Sequence, residues 1–167
     1  MSGSAAQLYE QDFVRWAEEQ SRALRDAAKL GTNLPLDWEN LAEEIDDLGR
    51  SVRRELRSRI STIIQHLLKL EYSPAIRSRR GWMDTIDRER SDIDRSLEEN
   101  PSLRSDVARV ILEEAPRVTR LTARILLRHR ERTNALAAPG YTEEQVLGDW
   151  FPGDAPPPAN GERKQPA

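Results

Sequence analysis

Between residues 38 and 70 apolar side chains recur every three or four positions: Trp38, Leu41, Ile45, Leu48, Val52, Leu56, Ile60, Ile63, Leu67 and Leu70. Such a stripe keeps one helix face towards a core along its whole length. Asp37 is placed to cap the helix, and Leu36 and Leu41 are spaced for a hydrophobic staple across its entry. At 1.5 Å per residue the helix would run about 50 Å. Gly49 is its one weak point, since glycine inside a helix costs about 1 kcal/mol relative to alanine. A bend there is the most that is expected, because the stripe crosses it unbroken.

The same rhythm predicts three further long helices. The first covers 9–30, with Tyr9, Phe13, Trp16, Gln20, Leu24 and Ala27 inward and Gly31 as its end. Another covers 82–98, with Trp82, Ile86, Ile93 and Leu97 on one side. The last runs from Asn100-Pro101 to about residue 132, through Leu103, Val107, Val110, Ile111, Ala115, Val118, Leu121, Ile125 and Leu126. Pro116 lies inside it and should kink or split it. Thr142-Glu143-Glu144-Gln145 reads as a capping box for a short helix that ends near Gly148. No alternation of period two supports a sheet. The expectation is an all-α, up-and-down helical bundle of four main helices plus a short C-terminal helix. It forms one domain over 8–151, followed by a disordered Pro-rich tail over 152–167.

Composition narrows the function classes. The 167 residues contain no cysteine, which removes disulfides, thiol nucleophiles and cysteine-ligated zinc together. No apolar run is long enough to span a membrane, and the N-terminus lacks the pattern of a secretory signal, so a cytoplasmic protein is expected. Charge is distributed in blocks. Residues 1–49 carry four basic and eleven acidic side chains, and residues 50–80 carry nine basic and two acidic. Alternating blocks suit helix dipoles and pairing between neighbouring elements.

Several segments in order carry a family resemblance: LYEQDFVRWAEEQ, LDWENLAEEIDDLG, RRELRSRISTIIQHLLKLEYSP, a Trp-x-x-x-Ile helix start, and a closing YTEEQVL…WF. With these the chain resembles the bacterial family catalogued as domain of unknown function 29, from about Leu8 to Phe151. The resemblance implies an all-helical bacterial domain. It carries no activity, substrate or catalytic residue with it.

Candidate chemistry is sparse. The carboxylates Glu39, Glu43, Glu44, Asp46 and Asp47 crowd the start of the long helix, where acids complement the dipole and Asp46 can pair with Arg50. Asn40, Glu43, Glu44 and His66 are the candidate polar site, Asn40 and Glu44 because they flank the stripe. In a straight helix, however, Glu44 and His66 are about 33 Å apart and cannot share one pocket. His66 and His129 lack the Glu-x-x-His partners of a di-metal bundle. No metal and no cofactor is expected. Arg50, Arg53, Arg54 and Arg57 form a helical face. Arg77, Arg79 and Arg80 sit in a predicted loop before Trp82, where guanidinium forks and free N–H groups would suit an anion or an acidic partner. No aromatics interleave the basic face, which disfavours nucleic acid.

The leading reading is a cytosolic protein-interaction or assembly module, partnered by another protein or by itself, with a homodimer expected. The alternatives are an enzyme or small-ligand domain built on Glu44 with a nearby tryptophan or arginine, and a nucleic-acid or anion binder at residues 77–82. No catalytic residue can be named.

Overall fold

The computed structural model describes residues 5–31, 34–128 and 140–153. Among them lie six α-helices: α1 (Ala5–Gln11), α2 (Phe13–Lys29), α3 (Trp38–Tyr72), α4 (Arg79–Glu99), α5 (Arg104–Arg128) and α6 (Glu143–Leu147). Short 3-10 turns at Ile76–Ser78 and Pro101–Leu103 lead into α4 and α5. No described residue belongs to a β-strand element, so the all-α class holds. The expected end of the last long helix, His129 and the tail beyond Gly153 fall outside the described residues.

The chain divides into two compact units that share the three long helices. The first comprises residues 1–59 and 91–110, the second 60–90 and 111–167. Val14, Ala17, Ala42, Leu56, Ile93, Leu97, Leu103, Val107 and Val110 are buried in the first. Ile60, Ile63, Ile64, Leu67, Leu68, Leu70, Ile86, Ile111, Val118, Leu126 and Val146 are buried in the second. The apolar stretch from Ile60 to Leu70 is therefore covered within the chain itself and needs no second subunit.

The long helix is one element from Trp38 to Tyr72, and Asp37 caps it by accepting from Asn40 N at 3.2 Å. Gly49 is no hinge. It is buried, and a Cβ placed on it would lie 3.2 Å from Ala17 Cβ of α2. The glycine lets two helices approach closely. Small residues line both sides: Ala17 and Ser21 on α2, Ala42 and Gly49 on α3. Gly49→Ala gains helix propensity of about 1 kcal/mol and gives it back in the crowded contact, so its net effect should be small. Gly49→Val has no such compensation and should cost about 1–3 kcal/mol through overpacking. Urea unfolding followed by helical circular dichroism measures both. Equal stability of the two variants would sink this account of the crossing.

Four expectations are corrected. The helix over 9–30 is two, because Asp12 leaves helical geometry (φ −164°, ψ 88°) and caps α2 by accepting from Arg15 N at 2.9 Å. Its inward face is also rotated. Val14, Ala17 and Ser21 are buried, while along the margin Phe13 stacks on Trp16 and Tyr9 meets both rings edge-on, at centroid distances of 4.8–5.6 Å. The staple at the entry of α3 does not close over a core, since Leu36 and Leu41 are both exposed. Pro116 does not divide α5. It sits on an exposed position with exposed Leu112 one turn before it, so the carbonyl left without its N–H partner is on the solvent side, where water can satisfy it.

Candidate functional site

The arginine segment 77–82 is not a loop. After Pro74 ends α3 the chain turns within four residues, with Ile76 N bonded to Pro74 O at 2.9 Å and Ser78 N to Ala75 O at 3.1 Å. The helix α4 then starts at Arg79, three residues before the expected Trp82. Gly81 is the third residue of α4, because one glycine penalty cannot stop a helix whose neighbours propagate it. Arg79 is spent on structure. Its guanidinium donates to Leu70 O at 2.6 Å, satisfying one of the carbonyls that the end of α3 leaves without a helical partner. Arg77 and Arg80 are exposed and Trp82 is half-buried.

The candidate polar residues do not converge. Asn40, Glu43 and Glu44 all face solvent, and Asn40 Nδ2 donates to its own cap residue, Asp37, at 2.6 Å. The expected buried contacts of Asn40 and Glu44 are absent because the inward face of α3 here is Ala42 and Gly49. His66 lies in the second unit at the core margin. Its Nδ1 donates to Thr62 O at 3.1 Å, and burial, helped by the charge of Lys69, pulls its pKa below the usual value. Among the described residues no three histidines or carboxylates are placed to hold a metal ion.

In the second unit Arg90 does what no motif announced. It is buried, its Nε donates to Val146 O at 3.0 Å, and its Nη2 donates to Gln145 O at 3.0 Å and Trp150 O at 2.7 Å. The guanidinium lies 4.9 Å from the centroid of the Phe151 ring. Burial lowers its proton affinity, which Asp87, Asp149 and Glu144 partly restore. The closing segment is held a second time by Tyr141, whose hydroxyl donates to Glu71 Oε2 at 3.0 Å. Burial and the adjoining carboxylate push that phenol's pKa well up, which keeps the donor protonated. Thr142 and Gln145 form the expected capping box. The segment YTEEQVL…WF is thus docked by one arginine and one tyrosine. Farther along, Ser61 Oγ and Arg117 both donate to the buried Glu114 carboxylate.

The first unit holds a groove dense in arginine. A groove of about 310 Å³ is lined by Arg50, Arg53, Arg54 and Arg57 of α3 and by Asp106 and Arg109 of α5, over a floor of Leu56 and Val110. Asp106 organises it, accepting from Arg53 Nε at 3.1 Å and from Arg109 Nη2 at 2.6 Å. Burial alone would raise the Asp106 pKa, but these two guanidinium groups outweigh it and hold the carboxyl below its usual range. Arg53 also donates to Glu18 at 2.6 Å, and Arg50 to Asp46 and Asp47 at 2.6 and 3.0 Å. A wider groove on the other flank of α3 carries Tyr9, Phe13, Glu55, Arg59 and Asp92, and there Arg59 bonds both carboxylates internally.

A second exposed feature of α3 is apolar. Leu41 and Leu48 are 40% and 52% exposed, and Trp38, Ile45 and Val52, which alternate with them, are half-buried.

Comparison with other proteins matches this architecture and adds no activity. No curated protein matches the chain. A solved structure does: an alpha-helical protein of unknown function from Rhodospirillum rubrum, 25% identical, with a TM-score of 0.66, covering 84% of this chain and 89% of that one. The profile of the family described as domain of unknown function DUF29 matches residues 8–151, and the chain belongs to that family.

Proposed function

We propose that the protein is an assembly module and that it pairs with a second copy of itself through the exposed seam of α3. The observation that carries this reading is the spacing of that seam. Trp38, Leu41, Ile45, Leu48 and Val52 follow steps of three, four, three and four, with branched Ile45 and Val52 in one register and Leu41 and Leu48 in the other. That pattern favours two-stranded helix pairing. The next positions in the rhythm are Glu55 and Arg59, which bond each other and end the seam. On the flank beside it Gly49 meets Ala17 of α2, and the leucines are left 40% and 52% exposed.

Binding is favoured over catalysis because the polar candidates point to solvent or to their own helix. No described helix is long and apolar enough to cross a membrane. A cysteine-free assembly module fits a cytoplasmic setting.

The seam rises about 21 Å, so pairing should be reversible and dependent on concentration. Sedimentation velocity across a micromolar range should show a species of twice the 19.1 kDa chain mass. Leu41→Glu with Leu48→Glu should return it to the single-chain mass at unchanged melting temperature, because both positions are exposed. A wild-type protein that stays single at every concentration overturns the reading, as does a double variant that still pairs.

A further inference from the structure

We propose that the arginine groove of the first unit is a binding site for condensed phosphate, meaning two or more linked phosphoryl groups. Arg50, Arg54 and Arg57 stand one helical turn apart along one wall, with about 5–6 Å between successive Cβ atoms, and Arg50 also bonds Asp46 and Asp47. Arg53 of α3 and Arg109 of α5 meet at Asp106 on the other side. A row of forks at that pitch suits a linked chain of phosphoryl groups, each gripped by two N–H donors, better than it suits one isolated anion.

Asp106 does not spoil the site. Each of its two oxygens accepts from a different arginine, so its charge is compensated and its bonds set the direction of both guanidinium groups before any ligand arrives. Arg54 has no bonded carboxylate among the described residues, and its cation is available to an incoming anion. The floor of Leu56 and Val110 is buried and apolar, which lowers the local dielectric and strengthens charge pairing above it.

Size and lining restrict the ligand. At about 310 Å³ the groove is at the small end of ligand sites. No aromatic ring lines it, so a nucleobase would find nothing to stack on. The phosphate chain, not a base, is what the groove recognises. Arg54 and Arg57 lie on the side of α3 away from Leu41 and Leu48, so the site is independent of the pairing seam.

Isothermal titration of the full chain with pyrophosphate, tripolyphosphate, ADP and sulfate tests the assignment. Saturable binding is expected for pyrophosphate and tripolyphosphate, with ADP no tighter than pyrophosphate and sulfate weaker by about tenfold. Arg54→Gln with Arg57→Gln should weaken tripolyphosphate by about tenfold or more. Should that pair fail to fold, the exposed Arg54→Glu alone should still weaken it. Arg77→Gln with Arg80→Gln should bind as the wild type does. Absence of saturation at millimolar tripolyphosphate overturns the proposal. So does undiminished binding by the Arg54 and Arg57 variants, a loss in the Arg77 and Arg80 variant of the same size, or tighter binding of a glutamate-rich peptide than of tripolyphosphate.

Discussion

Arg90→Met should release the C-terminal helix of the second unit and cost about 3–5 kcal/mol. Methionine keeps most of the apolar stem and removes the guanidinium, so the loss is that of the hydrogen bonds more than of packing. Three carbonyls, on Gln145, Val146 and Trp150, lose their donor at once. Each buried acceptor left without a partner costs about 1–3 kcal/mol, and water reaching the segment recovers part of that. The Phe151 ring also loses the cation above it. Hydrogen exchange should show the amides of α6 unprotected before the rest of the second unit opens. Arg90→Lys should fall between, since an ammonium cannot reach the same fork of acceptors. Full protection of α6 in the methionine variant would show that Tyr141 and Val146 hold the segment without the arginine.

Asp12→Ala is the second large effect, expected at about 2–4 kcal/mol in urea unfolding. Asp12 is buried and serves two helix starts. It caps α2 through Arg15 N, and it accepts from Ser102 N at 2.7 Å and Ser102 Oγ at 2.9 Å in the turn that begins α5. Loss of a cap costs about 1 kcal/mol, and the orphaned Ser102 donors add about 1–3 kcal/mol. The tie is reciprocal. Asn100, just ahead of that turn, accepts from Val14 N of α2 at 3.2 Å. Each helix start therefore borrows an acceptor from the other. Ser102→Ala should cost less than Asp12→Ala, and the two changes should not add, because they share one bond set. Strict additivity would mean that Asp12 acts as a local cap alone.

The residues of both ties carry no local signal of their role. Arg90 falls on the inward stripe of α4, one turn after Ile86 and one turn before Ile93. A charged residue there looks like a gap in an apolar pattern. What marks it is that the stripe resumes in register on either side, so the gap faces inward and has to be filled. Asn100 before Pro101 has the pattern of a cap for the residues after it. In the fold its side chain makes no cap bond to that turn and serves α2 instead.

Local chemistry in the sequence determined a good deal. The unbroken stripe from Trp38 to Leu70, the Asp37 cap, Gly31 at the end of α2 and the Thr142 capping box all act within a turn or two of their own residue. The helix, its cap, the glycine end and the capping box appear in the fold at the positions their spacing predicts, but the stripe faces a core only from Leu56 onward. The family is legible for the same reason, because its segments are short and ordered. The arginines at 50, 53, 54 and 57 are visible as a face from their spacing alone. Tertiary structure decided which neighbour each face meets. Periodicity scores how apolar a face is, but the α2–α3 crossing selects small residues, so Val14, Ala17 and Ser21 went inward and the aromatics of 9–16 to the margin. The same crossing turned Ala42 and Gly49 inward and left Leu41 and Leu48 exposed. It took Asp106 and Arg109, more than forty residues along the chain, to turn a basic face into a groove. Caps and stripes are energies of adjacent residues, whereas a groove, a crossing and a clamp are energies of residues that the sequence keeps far apart.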